Sequence, residues 1–308
     1  VLCVWLQGSF SLRDAPAPGE ELQGTTVAVV QGHIGLAERW HRHFHGRNLS
    51  HYLSLTNDIL ETSGAKLVVW PEAAMTFFLE QEPQYQATIR SLLRSRDVEL
   101  ISGIPRRGEQ ADQYFNSVYL LSPEVEVKGR YDKEYLLPFA EYIPLAKSTL
   151  LKSLFGRFRE FSRGTSGDPL ETRAGMAGIM ICNEAVLPSV ARSRVLDGAT
   201  FLVNPSNDSW SRHPNFTGQW FDIVRFRAIE QRRYLVRAST SGPSGIIDPW
   251  GRPSTTTERF ARGATAGRIV ARSELSIYAR VGDLFSLLCL IGLLAGLYAS
   301  RGLSRATN

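Results

Sequence analysis

One of the three cysteines in the chain stands where a thiol could do chemistry. Cys3 and Cys289 lie in uncharged apolar stretches near the termini, whereas Cys182 follows the apolar run GIMI and precedes the polar pair Asn183 and Glu184. A thiolate is a strong nucleophile, but a nearby base must first take the thiol proton. The alternative is a buried core thiol, since free cysteine is among the most buried residue types. The surroundings of Cys182 therefore decide between a nucleophile and a core residue.

Two further polar residues follow apolar strand candidates. Glu72 comes after KLVVWP, and Lys133 comes after VKGRYD in a chain with only five lysines against thirty arginines. A carboxylate in a dry site can act as general base, and an ammonium group can stabilise the oxyanion formed when a thiolate attacks a carbonyl. Glu141, eight residues beyond Lys133, could hold the lysine or a substrate amine in place. Each residue has an alternative: Glu72 could cap a helix starting at Ala73, and the other two could be solvated.

The elements that must position these residues alternate between strands and helices. Helical patterns cover about residues 35–63, 83–96, 188–197 and 216–233. The runs that predict strands are TTVAVVQG, KLVVWPE, VELISGIP, YFNSVYLLSP, VEVKGRYDK, AGIMIC, TFLVNPS, YLVRAST and SGIIDPWGR. Alternation of this kind predicts one layered α/β domain over residues 24–271. Ligands bind at the carboxyl ends of strands in such sheets, so Glu72, Lys133 and Cys182 are expected to converge there.

Apolar segments flank the predicted domain. Residues 1–23 are interpreted as the tail of an upstream hydrophobic segment followed by a linker, so we expect the chain to be part of a longer protein. Residues 272–308 contain a predicted transmembrane helix at about 284–300, with a buried core helix as the alternative. Arg301 and Arg305 follow it without an acidic residue, which predicts a cytoplasmic C-terminus and a domain on the opposite side of the membrane. The net charge of +5 suits an anionic membrane as well as nucleic acid and does not choose between them.

The order of WPE, YDKEYLLPFAEYIPL and ICNE resembles the nitrilase, or carbon–nitrogen hydrolase, superfamily. More narrowly, the chain resembles the bacterial apolipoprotein N-acyltransferase family in the stretches VVQGHI, NPSNDSW, FRAIEQRRYLVRAS and SGIIDPWGR. An apolar segment directly after the domain also fits that family. The resemblance covers essentially the whole chain, and it implies a nitrilase-type αββα sandwich followed by one C-terminal transmembrane helix.

The resemblance also implies roles for particular residues. Glu72 would be the general base, Lys133 the oxyanion-stabilising residue and Cys182 the nucleophile. Glu141 and Glu184 would be supporting acidic residues, and Trp210 would lie near the mouth of the active site. The chain departs from the family at Asn183 and Ser211, where aromatic residues are frequent, and at Ala140, where glycine is common. These departures leave the catalytic groups intact and leave substrate fit open.

The implied activity is acyl transfer in two steps. A phospholipid acyl donor would acylate the cysteine, and a diacylated lipoprotein acceptor would take the acyl chain on its N-terminal amine. The implied setting is the bacterial inner membrane with the catalytic domain on the periplasmic side, without a metal, an organic cofactor or a nucleic-acid partner. A membrane-anchored amidase that uses water with the same three residues is the alternative. A relative that binds lipid or a partner protein without turnover is a third possibility.

Overall fold

The computed structural model describes residues 8–9, 12–13, 15, 23–110, 112–144 and 160–306, with side-chain surroundings as far as residue 298. The tail and linker predicted over residues 1–23 therefore lie almost wholly outside the described residues.

Two six-stranded sheets form the centre of the molecule. The first sheet has the order β12-β1-β2-β3-β4-β5, and the second has the order β11-β10-β9-β8-β7-β6. In the first, β1, β2 and β3 are parallel, while β4, β5 and β12 are antiparallel to their neighbours. Its strands are β1 (Thr25–Gln31), β2 (Leu67–Val69), β3 (Glu99–Arg107), β4 (Tyr114–Leu121), β5 (Val127–Asp132) and β12 (Gly263–Ile269).

The second sheet repeats the same mixed arrangement. Strands β7, β8 and β9 are parallel, and β6, β10 and β11 add antiparallel edges. The strands are β6 (Leu170–Thr172), β7 (Gly175–Ile179), β8 (Phe201–Ser206), β9 (Leu235–Ser239), β10 (Gly245–Ile247) and β11 (Pro253–Thr256). Parallel strands need crossover connections, and helices supply them in both sheets.

Helices cover the outer face of each sheet. The helices are α1 (Leu36–Arg39), α2 (His45–Ser63), α3 (Pro83–Arg96), α4 (Pro188–Leu196), α5 (Pro214–Gln231), α6 (Ile277–Val281) and α7 (Leu284–Ala306). Side chains of α2 and α3 pack on the first sheet, and side chains of α4 and α5 pack on the second. The result is the αββα sandwich that the resemblance implied.

The strand residues alternate between two buried faces. Val27 and Val29 of β1 pack between the sheets, whereas Ala28 and Val30 pack under the helices. A strand that is buried on both faces reads as a continuous apolar run, which is why TTVAVV lacks the polar alternation of a half-exposed strand. The interior between the sheets is filled from both sides, and Cys182 belongs to this cluster.

The C-terminal helix α7 does not pack as a core element. Its large apolar side chains from Leu284 to Tyr298 are between 46% and 84% exposed, so the core-helix alternative is wrong. In the part of the chain that the structure describes, no helix combines the length and the apolar character needed to cross a membrane.

Candidate active site

The three residues expected to converge come from both sheets. Glu72 lies three residues after β2, and Lys133 follows β5 directly, so both belong to the first sheet. Cys182 lies three residues after β7 in the second sheet. All three line one pocket, as expected. The expected reason, that they follow strands whose carboxyl ends meet at one sheet edge, is only partly right. Strand β5 is antiparallel, and the residues meet across the interface between two sheets.

The pocket is a cavity of about 320 Å³ with reactive groups and apolar walls. Its polar lining residues are Glu72, Asn116, Lys133, Glu141, Cys182 and Asn207. Its other lining residues are Leu36, Trp40, Ala73, Pro105, Leu137, Ala140, Phe161 and Trp210. Pockets of this size with a few convergent polar groups are typical of small-molecule sites.

Cys182 is held in a rare backbone conformation at the start of a short 3-10 helix, Cys182–Val186. Its φ of 51° is in the left-handed region, which costs energy for a residue with a Cβ atom. Burial, and after it the charges of Glu72 and Asp208, raise the pKa of the thiol to about 12. Lys133 and a hydrogen bond from the backbone N–H of Asn207 oppose this rise. The resting cysteine is therefore a neutral thiol near neutral pH, and a base must act on it during a reaction.

Lys133 is an ion-paired, buried lysine, so the solvated alternative is wrong. Its side chain is 2% exposed, and its Nζ lies 3.6 Å from Oε1 of Glu72. The same Nζ lies 2.9 Å from each carboxylate oxygen of Glu141. Burial lowers the pKa of Lys133, but Glu72, Cys182 and Glu141 together raise it above its usual value. A fixed positive charge therefore stands beside the thiol.

Glu72 does not cap a helix. Residues 71–76 form turns, and Ala73 has a φ of 48°, so no helix begins there. The side chain of Glu72 is 8% exposed and points to the Lys133 ammonium. The carboxylates of Glu72 and Glu141 both contact the Lys133 ammonium. One candidate base and one supporting acid therefore surround a single cation.

Asn116 joins the two carboxylates and was not found from the sequence. Its Nδ2 donates to Oε1 of Glu72 and to Oε1 of Glu141, both at 2.7 Å. Its backbone carbonyl accepts a 2.9 Å hydrogen bond from the backbone N–H of Lys133. The signal in the sequence was an amide inside the otherwise apolar strand YFNSVYLL. Asn116 therefore fixes the orientations of the two carboxylates that contact Lys133.

Asn116→Ala is expected to lower the free energy of unfolding by about 1–3 kcal/mol, because two buried carboxylate oxygens lose a donor. Urea denaturation measures the change. The matched control is Asn57→Ala, since Asn57 of α2 donates to Glu61 at 2.9 Å and accepts from Arg96 at 2.7 Å, and the side chains of Arg96 and Glu61 are 33% and 54% exposed. That change is expected to cost about 0.5 kcal/mol, because water can replace the lost partner. Equal losses in the two variants would contradict the bridging role.

Glu184 lies outside the pocket and ties its two sides together. It is fully buried, and its Oε1 accepts hydrogen bonds from the Tyr131 hydroxyl and the backbone N–H groups of Glu134 and Tyr135. Its Oε2 accepts from the backbone N–H of Ile181 at 2.7 Å. Burial raises the pKa of Glu184, and these hydrogen bonds oppose the rise. This carboxyl group therefore links the segment after Lys133 to the strand end before Cys182.

A second buried network lies behind Cys182 and was also not found from the sequence. Asn204 donates from Nδ2 to the carbonyls of Met180 and Cys182, at 2.6 and 3.3 Å. Arg237 donates to Asn204 and forms a 2.8 Å ion pair with Asp208, with both side chains at most 2% exposed. The network supports the strained cysteine backbone and the 206–209 loop that carries the Asn207 N–H. The stretch NPSNDSW contains Asn204 and Asp208, but residue spacing alone did not indicate that they belong to a buried network.

Two tryptophans stand at the open side of the pocket. Trp210, expected near the mouth, lines the pocket and is 53% exposed. Trp40, which the sequence did not single out, lines it as well and is 50% exposed. Asn183 donates from Nδ2 to the carbonyl of Tyr135 at 3.0 Å, so this departure from the family adds a second link between the two sides of the site. Ala140 lines the pocket, whereas Ser211 lines a neighbouring cavity.

The family model described as carbon–nitrogen hydrolase matches residues 26–274. The chain belongs to this family. The match covers both sheets and every residue of the pocket, and it ends before α6 and α7.

Two curated relatives of this carbon–nitrogen hydrolase chain share one name. An apolipoprotein N-acyltransferase from Geobacter metallireducens is 34% identical over 296 residues, which are 95% of this chain and 56% of the relative. One from Gloeobacter violaceus is 30% identical over 300 residues, again 95% of this chain and 56% of the relative. The chain thus spans a little over half the length of the curated relatives it matches.

Solved structures confirm the fold at lower identity. A mutant of the amidase from Nesterenkonia sp. AN1, with acrylamide added at its active-site cysteine, gives a TM-score of 0.60 at 18% identity. It covers 81% of this chain and 94% of its own. The C. elegans NitFhit protein gives a TM-score of 0.63 at 20% identity, over 86% of this chain and 65% of its own. At such identities the likeness supports the nitrilase-type sandwich alone.

Proposed function

We propose that the chain is the catalytic part of an apolipoprotein N-acyltransferase. The observation that carries the proposal is the meeting of Glu72, Lys133 and Cys182 in one apolar-walled pocket. The 34% identity to an enzyme of that name over 95% of the chain supports the substrate class. The proposed donor is a phospholipid, and the proposed acceptor is the N-terminal amine of a diacylated lipoprotein.

In the first step, Glu72 takes the thiol proton while Sγ of Cys182 attacks the ester carbonyl carbon of the phospholipid. The carbonyl oxygen becomes an oxyanion, and the Lys133 ammonium, which the carboxylates keep charged, stabilises it. The tetrahedral intermediate collapses by breaking the ester C–O bond. Protonated Glu72 returns the proton to the departing alkoxide, so a lysophospholipid leaves and an acyl thioester remains on Cys182.

In the second step, the free α-amino group of the lipoprotein attacks the thioester carbonyl. Glu72 accepts a proton from the amine, Lys133 again stabilises the oxyanion, and the C–S bond breaks. The cysteine leaves as a thiolate and recovers its proton from Glu72. The high thiol pKa matters here, because burial makes the protonated product form of Cys182 the stable one. The products are an amide-linked acyl chain and the original enzyme.

We also propose that residues 24–271 form the catalytic domain and that residues 272–308 attach it to a bacterial membrane. The apolar side chains exposed along α7 support attachment, since a patch of this kind needs a lipid or protein partner. For a span at about 284–300, which the described part of the chain does not show, the arginines at 301 and 305 support a cytoplasmic C-terminus and a domain on the periplasmic side.

The decisive experiment is intact-protein mass spectrometry of the full chain after incubation in detergent micelles with phosphatidylethanolamine. We expect a fatty-acyl adduct on Cys182 that disappears in Cys182→Ala and that a diacylated lipopeptide with a free amine discharges. Cys289→Ala is the matched control, because Cys289 is an exposed thiol outside the pocket and its loss leaves the adduct in place.

Two outcomes would contradict the proposal. An adduct that persists in Cys182→Ala would identify another nucleophile. Absence of the adduct, together with ammonia release from small amides, would assign the site to an amidase that uses water in place of the lipoprotein amine.

A further inference from the structure

A second cavity lies beside the catalytic pocket. It has a volume of about 830 Å³, and its lining residues include His33, Leu36, Ser209, Ser211 and Arg212. Leu36 lines both cavities, so the two spaces adjoin. The loop 209–211 lies between them, because Trp210 lines the catalytic pocket while the serines on either side line the second cavity. A ligand larger than the catalytic pocket would therefore meet this neighbouring space on the side of Leu36 and Trp210.

The polar lining of this cavity combines hydroxyl groups with one arginine. Serine hydroxyls come from Ser209, Ser211 and Ser241, and Arg212 supplies a guanidinium group. Among the described residues, no hydrogen bond or ion pair engages the Arg212 side chain. Glu38 is the acidic lining residue, but its Oε2 is already paired with Arg47 at 2.6 Å. The cavity therefore presents an unused planar donor group and little uncompensated negative charge.

The histidines near the cavity lie close to a further arginine. His33 donates or accepts at Nδ1 with the Ser241 hydroxyl at 3.2 Å, and its pKa is lowered first by burial and then by Arg262. His51 contacts Arg262 at 3.4 Å, and its pKa is lowered first by burial and then by Arg262 and Arg47, while Glu38 opposes them. Arg262 therefore adds positive charge near the wall that contains His33.

We infer that the second cavity binds the phosphate of the phospholipid donor, with Arg212 as its principal contact, while the ester to be cleaved lies at Cys182. The inference rests on the proposed function and adds a site for the donor headgroup to it. A guanidinium group suits this role because its fork of N–H donors matches two phosphate oxygens. The Ser211 hydroxyl accepts from the His213 N–H and can donate its proton to a remaining oxygen, whereas the Ser209 hydroxyl already donates to Asn207.

The charge of the cavity favours the donor over the acceptor as its occupant. A glycerophospholipid carries its phosphate a few bonds from its ester groups, so one molecule can contact both adjoining spaces. The modified N-terminal cysteine of a lipoprotein carries neutral glyceryl esters and a free amine, which the Arg212 guanidinium does not attract. The lipopeptide is therefore the competing outcome of the test.

Arg212→Gln is expected to reduce preference for donors that carry a phosphate. The rate constant for acylation of Cys182 is measured with phosphatidylglycerol in mixed micelles and with p-nitrophenyl butyrate, an acyl donor without a headgroup. The ratio of the two rate constants should fall about tenfold, the loss typical of one charge-assisted hydrogen bond. Arg94→Gln is the matched control, because Arg94 is an exposed arginine of α3 paired with Glu124 at 3.4 Å. Its ratio should match that of the unchanged chain.

Direct binding separates this inference from the proposed function. Cys182→Ala prevents turnover, and its affinity for monomeric dihexanoyl phosphatidylglycerol is measured by ³¹P NMR with and without Arg212→Gln. We expect about tenfold weaker binding in the double variant and weaker binding of the single variant at high salt. This result would support the phosphate site even if phospholipid left no thioester on Cys182. Absence of the thioester would contradict only the proposed acyl transfer.

Three results would overturn the inference. One is an unchanged donor ratio together with unchanged affinity for the short-chain phospholipid. Another is an equal loss with both acyl donors, which would show a general effect on the pocket. The third is a selective loss of diacylated lipopeptide binding in Arg212→Gln, which would assign the cavity to the acceptor.

Discussion

Glu72→Gln should slow thioester formation on Cys182 by about 10²–10⁴-fold, the usual contribution of a general base. Glutamine keeps the size of the side chain and an acceptor oxygen for Asn116, so the pocket geometry is preserved while the proton acceptor is lost. The rate is measured by quenched-flow mass spectrometry with a phospholipid donor. Glu171→Gln, an exposed carboxylate on β6, is the control and should leave the rate unchanged.

The same variant should shift the alkylation of Cys182 in the opposite direction. After burial, the Glu72 charge is the next cause of the raised thiol pKa of about 12, so a neutral amide should lower that pKa. The pH profile of iodoacetamide labelling should then move to lower pH, with more thiolate at a given pH and yet slower acyl transfer. A variant that loses both activity and labelling would indicate a damaged pocket, and one that keeps full activity would remove Glu72 as the base.

Lys133→Met should reduce both catalysis and stability. Loss of the oxyanion-stabilising charge is expected to slow thioester formation by about 10²–10³-fold. It also leaves the buried carboxylates of Glu72 and Glu141 without their cation, which is expected to cost about 3–5 kcal/mol of unfolding free energy. Quenched acylation assays measure the rate of thioester formation, and urea denaturation measures the free energy of unfolding. Lys66→Met is the matched control, since Lys66 pairs with Asp97 at 3.5 Å and the two side chains are 50% and 64% exposed.

The stability difference also has a defined pH dependence. The pKa of Lys133 is raised in the folded protein above its usual 10.5, so the unfolded chain releases this proton first as the pH rises. The contribution of Lys133 is therefore complete below about pH 10.5 and declines in more alkaline solution. The gap between Lys133→Met and the unchanged chain should narrow there. A loss of stability equal to that of Lys66→Met would contradict the buried ion-pair cluster.

The local pattern of the sequence was sufficient for most elements of the sandwich. Apolar runs such as TTVAVV and KLVVW predicted central strands. The pattern is informative because both faces of these strands are buried in the structure, so apolar residues follow one another without polar alternation. The helix predicted over residues 83–96 was confirmed with the same bounds, helped by a proline at its first position and a left-handed Asp97 at its end. Strands β6, β11 and β12 were not predicted, because edge strands of short, small or polar residues such as LET, PSTT and GATAGRI carry little apolar signal.

The sequence alone also selected Glu72, Lys133 and Cys182, since a nucleophile, a base and a cation form one chemical set and each follows an apolar run. Only the tertiary structure brought them together from two sheets and placed Asn116 between the carboxylates. It also showed the Asn204, Arg237 and Asp208 network and the cavity beside Trp210. Such contacts join residues far apart in the chain, so spacing within one segment carries no record of them. Sequence therefore determined which reactive groups are available, whereas packing decided their partners, their charge states and the space a substrate can occupy.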